Sequence, residues 1–455
     1  MSFLKRFQTS LESLHEPSAY KNHDTKKYVV AYSGGVDSLV LLHCFKKINA
    51  TARAAHVHHG LQAVADDWVT HCQQTCKQLN IPLDILYVDA KQKSGESPEE
   101  SARNARYQAL QNNLTEDEYL VTAQHLNDQA ETLLLQLFRS AGSAGLSAMP
   151  ASKKIGEHVH LRPLLSFSRN EIECFAKENN LQWVEDPSNN DVSFDRNFLR
   201  KNIFPQLKKR WPEVTTQLSN VASLQSNNLD VLEDMAAIDL ASAITTQKNQ
   251  LSICVFEVMS MLSIERLQQL SSPRLLNLLR YWLITTLNKK PTRNLLEEIE
   301  KSLINSQADA NPDIVFFGYA FRKFQGKLYL LKINNVPTTE SSQEWNPISL
   351  LKLPDLNLQL KAVMTVGEGL NKKLLDESLI VSFRKGGEKF HPAGRRHSQS
   401  LKKLLQEASV PPWERDVVPL VYFGDELIAV TGLWVSREFS MGEGESGWVV
   451  EIEKL

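Results

Sequence analysis

Six consecutive residues, Ser33-Gly34-Gly35-Val36-Asp37-Ser38, have the chemistry to hold a polyphosphate. They stand between an apolar run, Tyr28–Tyr32, and an amphipathic stretch, Leu39–Lys47. A helix starting there turns free backbone N–H groups and a partial positive charge on an anion. Two glycines let the backbone approach the phosphates closely and take up unusual φ values. Ser33 and Ser38 add hydroxyl donors, and Asp37 has the charge to hold Mg²⁺ beside a nucleotide. The segment lacks the Gly-Lys-Ser/Thr of the Walker loop, so no lysine grips a terminal phosphate, and it is not GxGxxG either. An isolated Ser/Gly turn would only cap a βα unit. The apolar strand before it and the apolar helix after it make this pattern specific.

A second junction of the same kind lies at Thr122–Thr132, where His125, Asp128 and Glu131 surround the start of another helix. Either acid alone would serve as a partner for the helix dipole. Two such strand ends in one sheet, one bearing Asp37 and the other His125 and Asp128, point to a shared site. Ala55–Leu61 ends a third apolar run. Alternation puts His56 and His58 on one face and His59 at the carboxyl end, where open α/β sheets bind ligands. Local hydrogen bonding or substrate contact suits these histidines better than zinc, which needs further ligands nearby. Arg103 and Arg106 lie three apart on one helix face, where they meet phosphate or simply face water. Residues 196–210 carry Arg196, Arg200, Lys201, Lys208, Lys209 and Arg210 with no acid, a face suited to an RNA backbone. A second basic stretch, 384–403, holds Arg384, Lys385, Lys389, Arg395, Arg396, Lys402 and Lys403 against the single acid Glu388.

The loop Ser33–Ser38 resembles the pyrophosphate loop of the ATP-pyrophosphatase superfamily. The ordered set HVHHGL, ESARNARY, TAQHLNDQAET, RSAGSAGLSAM, RPLL, WVEDPSNN and DRNFLRKNIFP is similar to the tRNA-isoleucine lysidine synthetases in their long bacterial form. The likeness resumes at GRRHSQSLKKLLQEASVPPWERDVVPLVY and LIAVTGLWV. It covers most of 28–215 and 380–435, while 216–345 matches only as a helix-rich insert. The resemblance implies a ligase in which ATP adenylates the wobble cytidine of an isoleucine tRNA with a CAU anticodon. The ε-amine of free L-lysine then displaces AMP. ATP and Mg²⁺ are the implied nucleotide and metal, with Ser33, Gly34, Gly35, Val36, Asp37 and Ser38 on ATP and with Asp37 and Asp128 on the metal. Asp37, His125, Asp128 and Glu131 are the implied catalytic residues, Asp128 and Glu131 being open choices for taking the lysine proton. Arg103, Arg106, Arg196, Arg200, Lys201, Arg395, Arg396, Lys402 and Lys403 are the implied contacts to tRNA. Many members carry Asp-Asp where this chain has Asn127-Asp128, and an amide lacks the charge to serve Mg²⁺. A tRNA 2-thiolation enzyme of the same superfamily and a non-catalytic ATP-gated RNA-binding protein are the alternatives. The first needs sulfur-carrying cysteines, yet the sequence contains no CxxC.

Positioning these residues requires a particular succession of elements. Strands are expected at Tyr28–Tyr32, Ala52–His58, Leu83–Val88, Tyr119–Ala123 and His158–Arg162. Helices are expected at Leu39–Lys47, Asp66–Leu79, Pro98–Gln111 (opened by Ser97), Asp128–Arg139 and Asn170–Glu178. Such alternation predicts an α/β domain, a parallel sheet with helices on both faces. Beyond about residue 195 the pattern turns helical over 195–247 and 262–304. Two strands joined by a Gln-Gly turn are expected over 313–333, and 334–346 reads as a linker. The division expected is 1–215 (catalytic), 216–345 (mainly helical, tRNA-contacting) and 346–455 (a small α+β tRNA-binding domain).

The chain has 455 residues, enough for two to four domains. With 51 Lys and Arg against 53 Asp and Glu, its net charge of −2 excludes a wholly basic nucleic-acid coat and an acidic disordered tail. No apolar run reaches the length of a membrane helix, and no signal peptide opens the sequence, so a cytoplasmic enzyme without membrane partners is expected. The 5 cysteines are few and scattered, the usage of a reducing compartment, with Cys72 and Cys76 expected in a core. Oligomeric state is not legible at this level.

Overall fold

The computed structural model describes residues 1–14, 26–58, 65–88, 98–245, 256–306, 314–333, 342–442 and 444–455. His59, Ser97 and most of the expected linker lie outside them. The chain forms two compact units, Met1–Val231 and Leu232–Leu455.

The first unit begins with helix α1 (Phe3–Ser13) and strand β1 (Lys27–Ala31), followed by α2 (Val36–Lys47), β2 (Thr51–His58), α3 (Ala65–Leu79) and β3 (Leu83–Tyr87). It continues with α4 (Pro98–Asn112), β4 (Glu118–Val121), α5 (Leu126–Phe138), the short α6 (Ser143–Leu146), β5 (Ser152–Ile155), β6 (His158–Leu161) and α7 (Arg169–Glu178). The strands make one six-stranded sheet in the order β3-β2-β1-β4-β6-β5. Strands β3, β2, β1, β4 and β6 run parallel as expected. The edge strand β5 is an addition to the sequence reading, antiparallel to β6. Its exposed Lys153 and Lys154 suit an edge and hide the strand from an apolar-pattern search.

Alternation along β1 shows how the layers form. Tyr28 and Val30 pack with Phe7 of α1, Leu39 and Leu42 of α2, Cys72 and Cys76 of α3 and Ile172 of α7. Val29, pointing the other way, joins Ala55, Leu110 and Leu120 under Tyr107 of α4. Helices thus cover both faces, which explains why β1 is apolar on both. Cys72 and Cys76 are buried, as expected. After α7 the chain passes through a turn at Pro187–Asn190, helix α8 (Asp195–Phe198), a wide π-type turn Leu199–Ile203, α9 (Phe204–Arg210) and the long α10 (Val214–Ala243). Leu199 and Phe204 seat this segment on Ala130 of α5.

In the second unit the end of α10 is followed by strand β7 (Glu257–Ser263), where only helix was expected from 262. Helices α11 (Ile264–Gln268), α12 (Ser272–Leu287) and α13 (Arg293–Ile299) follow, so the helical middle is present. The segment expected as two strands contains three, β8 (Ile314–Phe316), β9 (Tyr319–Phe324) and β10 (Lys327–Lys332). Besides the Gln325-Gly326 turn, a second one at Phe317-Gly318 splits the first expected strand, with positive φ at Phe317, Gly318, Gln325 and Gly326. With β7 they form a four-stranded sheet, order β7-β10-β9-β8, against α12, where Trp282 meets Phe321. The C-terminal part is a set of antiparallel strands on a core of Trp345, Trp448, Leu379 and Val421. A helix at Leu401–Glu407 packs Leu401, Leu404 and Leu405 on Phe390 and Val418.

Candidate active site

The carboxyl ends of β1, β2 and β4 open into one cleft of about 1010 Å³, contained in the first unit. Its floor is the loop after β1. Ser33 N donates to Ser38 Oγ at 3.2 Å, the two hydroxyls lie 3.0 Å apart, and Ser38 Oγ donates to the Gly35 carbonyl at 3.0 Å. The two serines thus brace each other across the turn. Gly35 caps α2 without a side chain. Gly34 has φ +87°, and a Cβ there would lie 3.2 Å from Cys72 Sγ. The Gly34 carbonyl also accepts from Val184 N at 3.1 Å, tying the loop to the Trp183–Asp186 segment of the cleft wall. Glycine is therefore favoured here by conformation, and an added side chain would also press on Cys72.

Asp37 sits in the first turn of α2. Its Oδ2 pairs with Arg169 Nη1, while Oδ1 is buried, 3.7 Å from His125 Nε2, with no hydrogen-bond partner among the described residues. Burial pushes the Asp37 carboxyl upward, opposed by His125 and Arg169 and reinforced by Asp128. His125 is the N-cap of α5. Asp128 N donates to its Nδ1 at 3.4 Å, and its own N–H is accepted by Asp128 Oδ2 at 3.1 Å. That reciprocal cap fixes both side chains at the end of β4.

Asp128 Oδ1 lies 3.4 Å from Arg200 Nη2, and Glu131 accepts from Arg200 through both oxygens. Among these residues Asp37, His125, Asp128, Arg106, Arg196, Arg200 and Lys201 line the cleft, whereas Glu131 stands behind Arg200 and is buried. Arg196 also donates to Thr132 Oγ1 at 3.1 Å, and Lys201 to Asn190 Oδ1. The cations Arg196, Arg200 and Lys201 thus belong to the cleft lining, Arg200 and Lys201 from the π-type turn at Leu199–Ile203. Arg103 and Arg106 lie 5.5 Å from the Tyr107 ring. Desolvation lowers the Arg106 pKa, and Arg103 and Arg196 lower it further, so an anion in the cleft would relieve it. His56 is buried, with Nδ1 2.9 Å from the Tyr32 carbonyl and 3.5 Å from Cys72 Sγ, and His58 lies 3.3 Å from Asp66. Local bonding accounts for His56, while His58 Nε2 is buried with no hydrogen-bond partner among the described residues, and no group able to hold a metal by three His, Cys, Asp or Glu side chains occurs among them.

Sequence reasoning missed Arg169, whose carboxylate partner is 132 residues away. Its one local signal is the Ser168–Glu171 capping box that starts α7. It also missed Trp68, Gln124 and Glu173 in the lining. The doubtful Asn127 has a defined place, accepting the Arg169 backbone N–H at 3.0 Å. In the second unit, Arg395 pairs with Glu407 at 2.6 Å and Lys403 Nζ lies 4.0 Å from the same acid. Arg396 and Lys402 are exposed.

The PP-loop domain family matches residues 4–207, the TilS substrate binding domain residues 262–329 and the TilS substrate C-terminal domain residues 379–452. The tRNA(Ile)-lysidine synthase of Coxiella burnetii is 40% identical over 430 residues, covering 94% of this chain and 93% of that protein. Those of Serratia proteamaculans and Methylococcus capsulatus are each 39% identical, the first over 94% of this chain and 95% of its own length, the second over 92% and 94%.

Proposed function

The chain belongs to the tRNA(Ile)-lysidine synthase family, and we propose that its cleft adenylates the wobble cytidine of a CAU anticodon and couples it to free L-lysine. The chain is an ATP-dependent ligase that modifies tRNA. The observation carrying the finer reading is the convergence of Ser33–Ser38, Asp37, His125 and Asp128 on a single cleft.

In the first step the cytidine O2 attacks the α-phosphorus of ATP and pyrophosphate leaves. The N-terminus of α2 and the Ser33 hydroxyl, braced by Ser38, receive that departing charge, with Arg106 and Lys201 also in the cleft lining. Asp37 and Asp128 would hold Mg²⁺, since Asp37 Oδ1 is buried without a donor and two carboxylates with phosphate oxygens suit that ion. Bound there, the ion neutralises charge on the phosphates. In the second step the neutral ε-amine of lysine forms a bond to C2 of the base while the C2–O bond to AMP breaks. Asp128 takes the amine proton. Glu131 is the poorer choice, because it is buried outside the cleft lining, whereas Asp128 lines the cleft. His125 is capped into place by Asp128, with Nε2 3.7 Å from Asp37 Oδ1.

The remaining chain, 216–345 and 346–455, contacts tRNA, the latter with Arg395, Arg396, Lys402 and Lys403. No described helix is long and apolar enough to cross a membrane, and we place the reaction in the cytoplasm with its tRNA. Incubation with ATP, Mg²⁺, lysine and tRNA(Ile) should give a cytidine heavier by lysine minus water, with one AMP and one pyrophosphate. Asp37→Ala should abolish this while leaving the circular dichroism unchanged. A sulfur-containing base, or ADP as nucleotide product, would overturn the reading.

A further inference from the structure

Three helix N-termini are joined at Arg169, whose side chain reaches α2 and whose backbone N–H reaches α5. Asp37 belongs to α2, Asn127 to α5 and Arg169 to α7. The Arg169 guanidinium is held on two sides, by Asp37 Oδ2 at Nη1 and by Glu173 Oε1 at Nε, 2.7 Å away. Its backbone is equally fixed. Asn127 Oδ1 accepts from Arg169 N at 3.0 Å, and the Phe167 carbonyl accepts from Leu126 N at 2.9 Å. The Ser168–Glu171 capping box and the Glu171–Arg6 pair anchor the same turn to α1. Arg169, Glu173 and Asn127 all line the cleft, although neither of the last two forms a hydrogen bond or ion pair with Asp37 among the described residues.

We propose that Arg169 is a positioning residue for the adenylation step, and that Asn127 sets Arg169 through its backbone. By holding Oδ2, Arg169 fixes the Asp37 carboxylate with Oδ1 turned toward His125 and the cleft. Without it Asp37 is free to rotate about its side-chain bonds, and the geometry required at the phosphates is lost for part of the time. The relay asks only for a hydrogen-bond acceptor at position 127. A carboxamide and a carboxylate both supply one, so Asn is functional here without metal charge. Arginine is needed at 169 because a planar fork reaches two carboxylates at once, which a lysine ammonium does with less definition.

The inference rests on the ligase reading of the same cleft, and a double-mutant cycle separates the two. Lysidine formation by the wild-type chain tests the reading. Arg169→Gln, Asn127→Ala and their combination test the inference, through kcat and KM for ATP in tRNA-dependent adenylation and through ATP binding at equilibrium. Arg169→Gln should lower kcat by about tenfold or more, with KM and the ATP dissociation constant changed far less, as expected for a network member acting through geometry. Asn127→Ala should lower kcat in the wild-type background and add almost nothing to Arg169→Gln. Asn127→Asp and, partly, Arg169→Lys should restore kcat relative to the disruptive changes. Thermal melting of every variant identifies any loss due to unfolding, and the two conservative variants keep the test decisive in that event. Additive effects of the two substitutions, failure of Asn127→Asp to recover kcat, or a loss confined to KM would overturn the inference while leaving the ligase reading intact.

Discussion

Glu131 accepts two hydrogen bonds from Arg200, one from Nε and one from Nη2, each at 2.9 Å. The acid is 1% exposed and the arginine side chain 43%. Burial raises the Glu131 pKa, and Arg200 opposes that rise. An acid whose folded pKa is raised binds more protons folded than unfolded, so its contribution to stability falls as pH rises from its ordinary range through the folded value.

Arg200→Ala removes the opposing charge and leaves the carboxylate buried and unpaired. The expected loss is about 2 kcal/mol near neutral pH, at the low end for a broken buried pair because Arg200 is partly solvated. Lowering the pH through the folded Glu131 value should recover part of the gap with wild type. Urea melts of both proteins from pH 5 to 8 check the sign, and a gap that widens on acidification would refute it.

Gly34→Ala should cripple ATP binding. The added Cβ meets a backbone at φ +87° and Cys72 Sγ at 3.2 Å. Cys72→Ala creates room but leaves the φ requirement, so the double variant should recover only part of the lost affinity. A strain of about 1–2 kcal/mol is expected to persist. Calorimetric titration with ATP measures it, and full recovery in the double variant would show that space alone required the glycine.

These consequences divide according to what a one-dimensional pattern can carry. The alternation of strand and helix from Tyr28 to Glu178 was legible because burial on both faces imposes apolar strands and 3.6-residue periodicity on the helices between them. The loop at Ser33–Ser38 was legible because its chemistry is local. Arg169 was not, because an ion pair with Asp37 leaves no trace at either position until the sheet brings the two helix starts together. The same holds for the grip of Arg200 on Glu131, two residues 69 apart in sequence, which leaves no trace in the basic run itself. Strand β5 escaped because an edge needs no apolar pattern, and the split of 313–333 into three strands turned on Phe317, a non-glycine residue in the left-handed region.

Glu414 in the C-terminal part is buried, and burial alone pushes its pKa up to about 7. Compared with an unfolded carboxyl, the folded protein holds this proton more tightly. Stability should therefore decline between about pH 4.5 and 7, by on the order of 3 kcal/mol in total, and level off above. Glu414→Gln should remove that decline and gain stability at pH 8. Melting temperatures of the two proteins across this range are the measurement, and parallel pH profiles would show that Glu414 ionises as freely folded as unfolded.

The basic stretch of the C-terminal part divides into paired and unpaired cations. Arg395 and Lys403 share Glu407, whereas Arg396 and Lys402 are exposed with no ion pair among the described residues. A phosphate approaching the first pair competes with a carboxylate already present. One approaching the second displaces only water and counterions. If this face binds tRNA, Arg396→Ala with Lys402→Ala should reduce the log–log salt slope by about 0.7–0.9 per lost contact, and Arg395→Ala with Lys403→Ala by less. Glu407→Gln should strengthen binding, by releasing the first pair and removing a repelling charge. Filter binding over a salt series reads all three. ATP affinity should stay constant throughout, since these residues lie in the second unit and the cleft in the first. Equal slopes for both pairs would mean that Glu407 does not hold its cations back, and an unchanged slope for all variants would show that tRNA does not use this face.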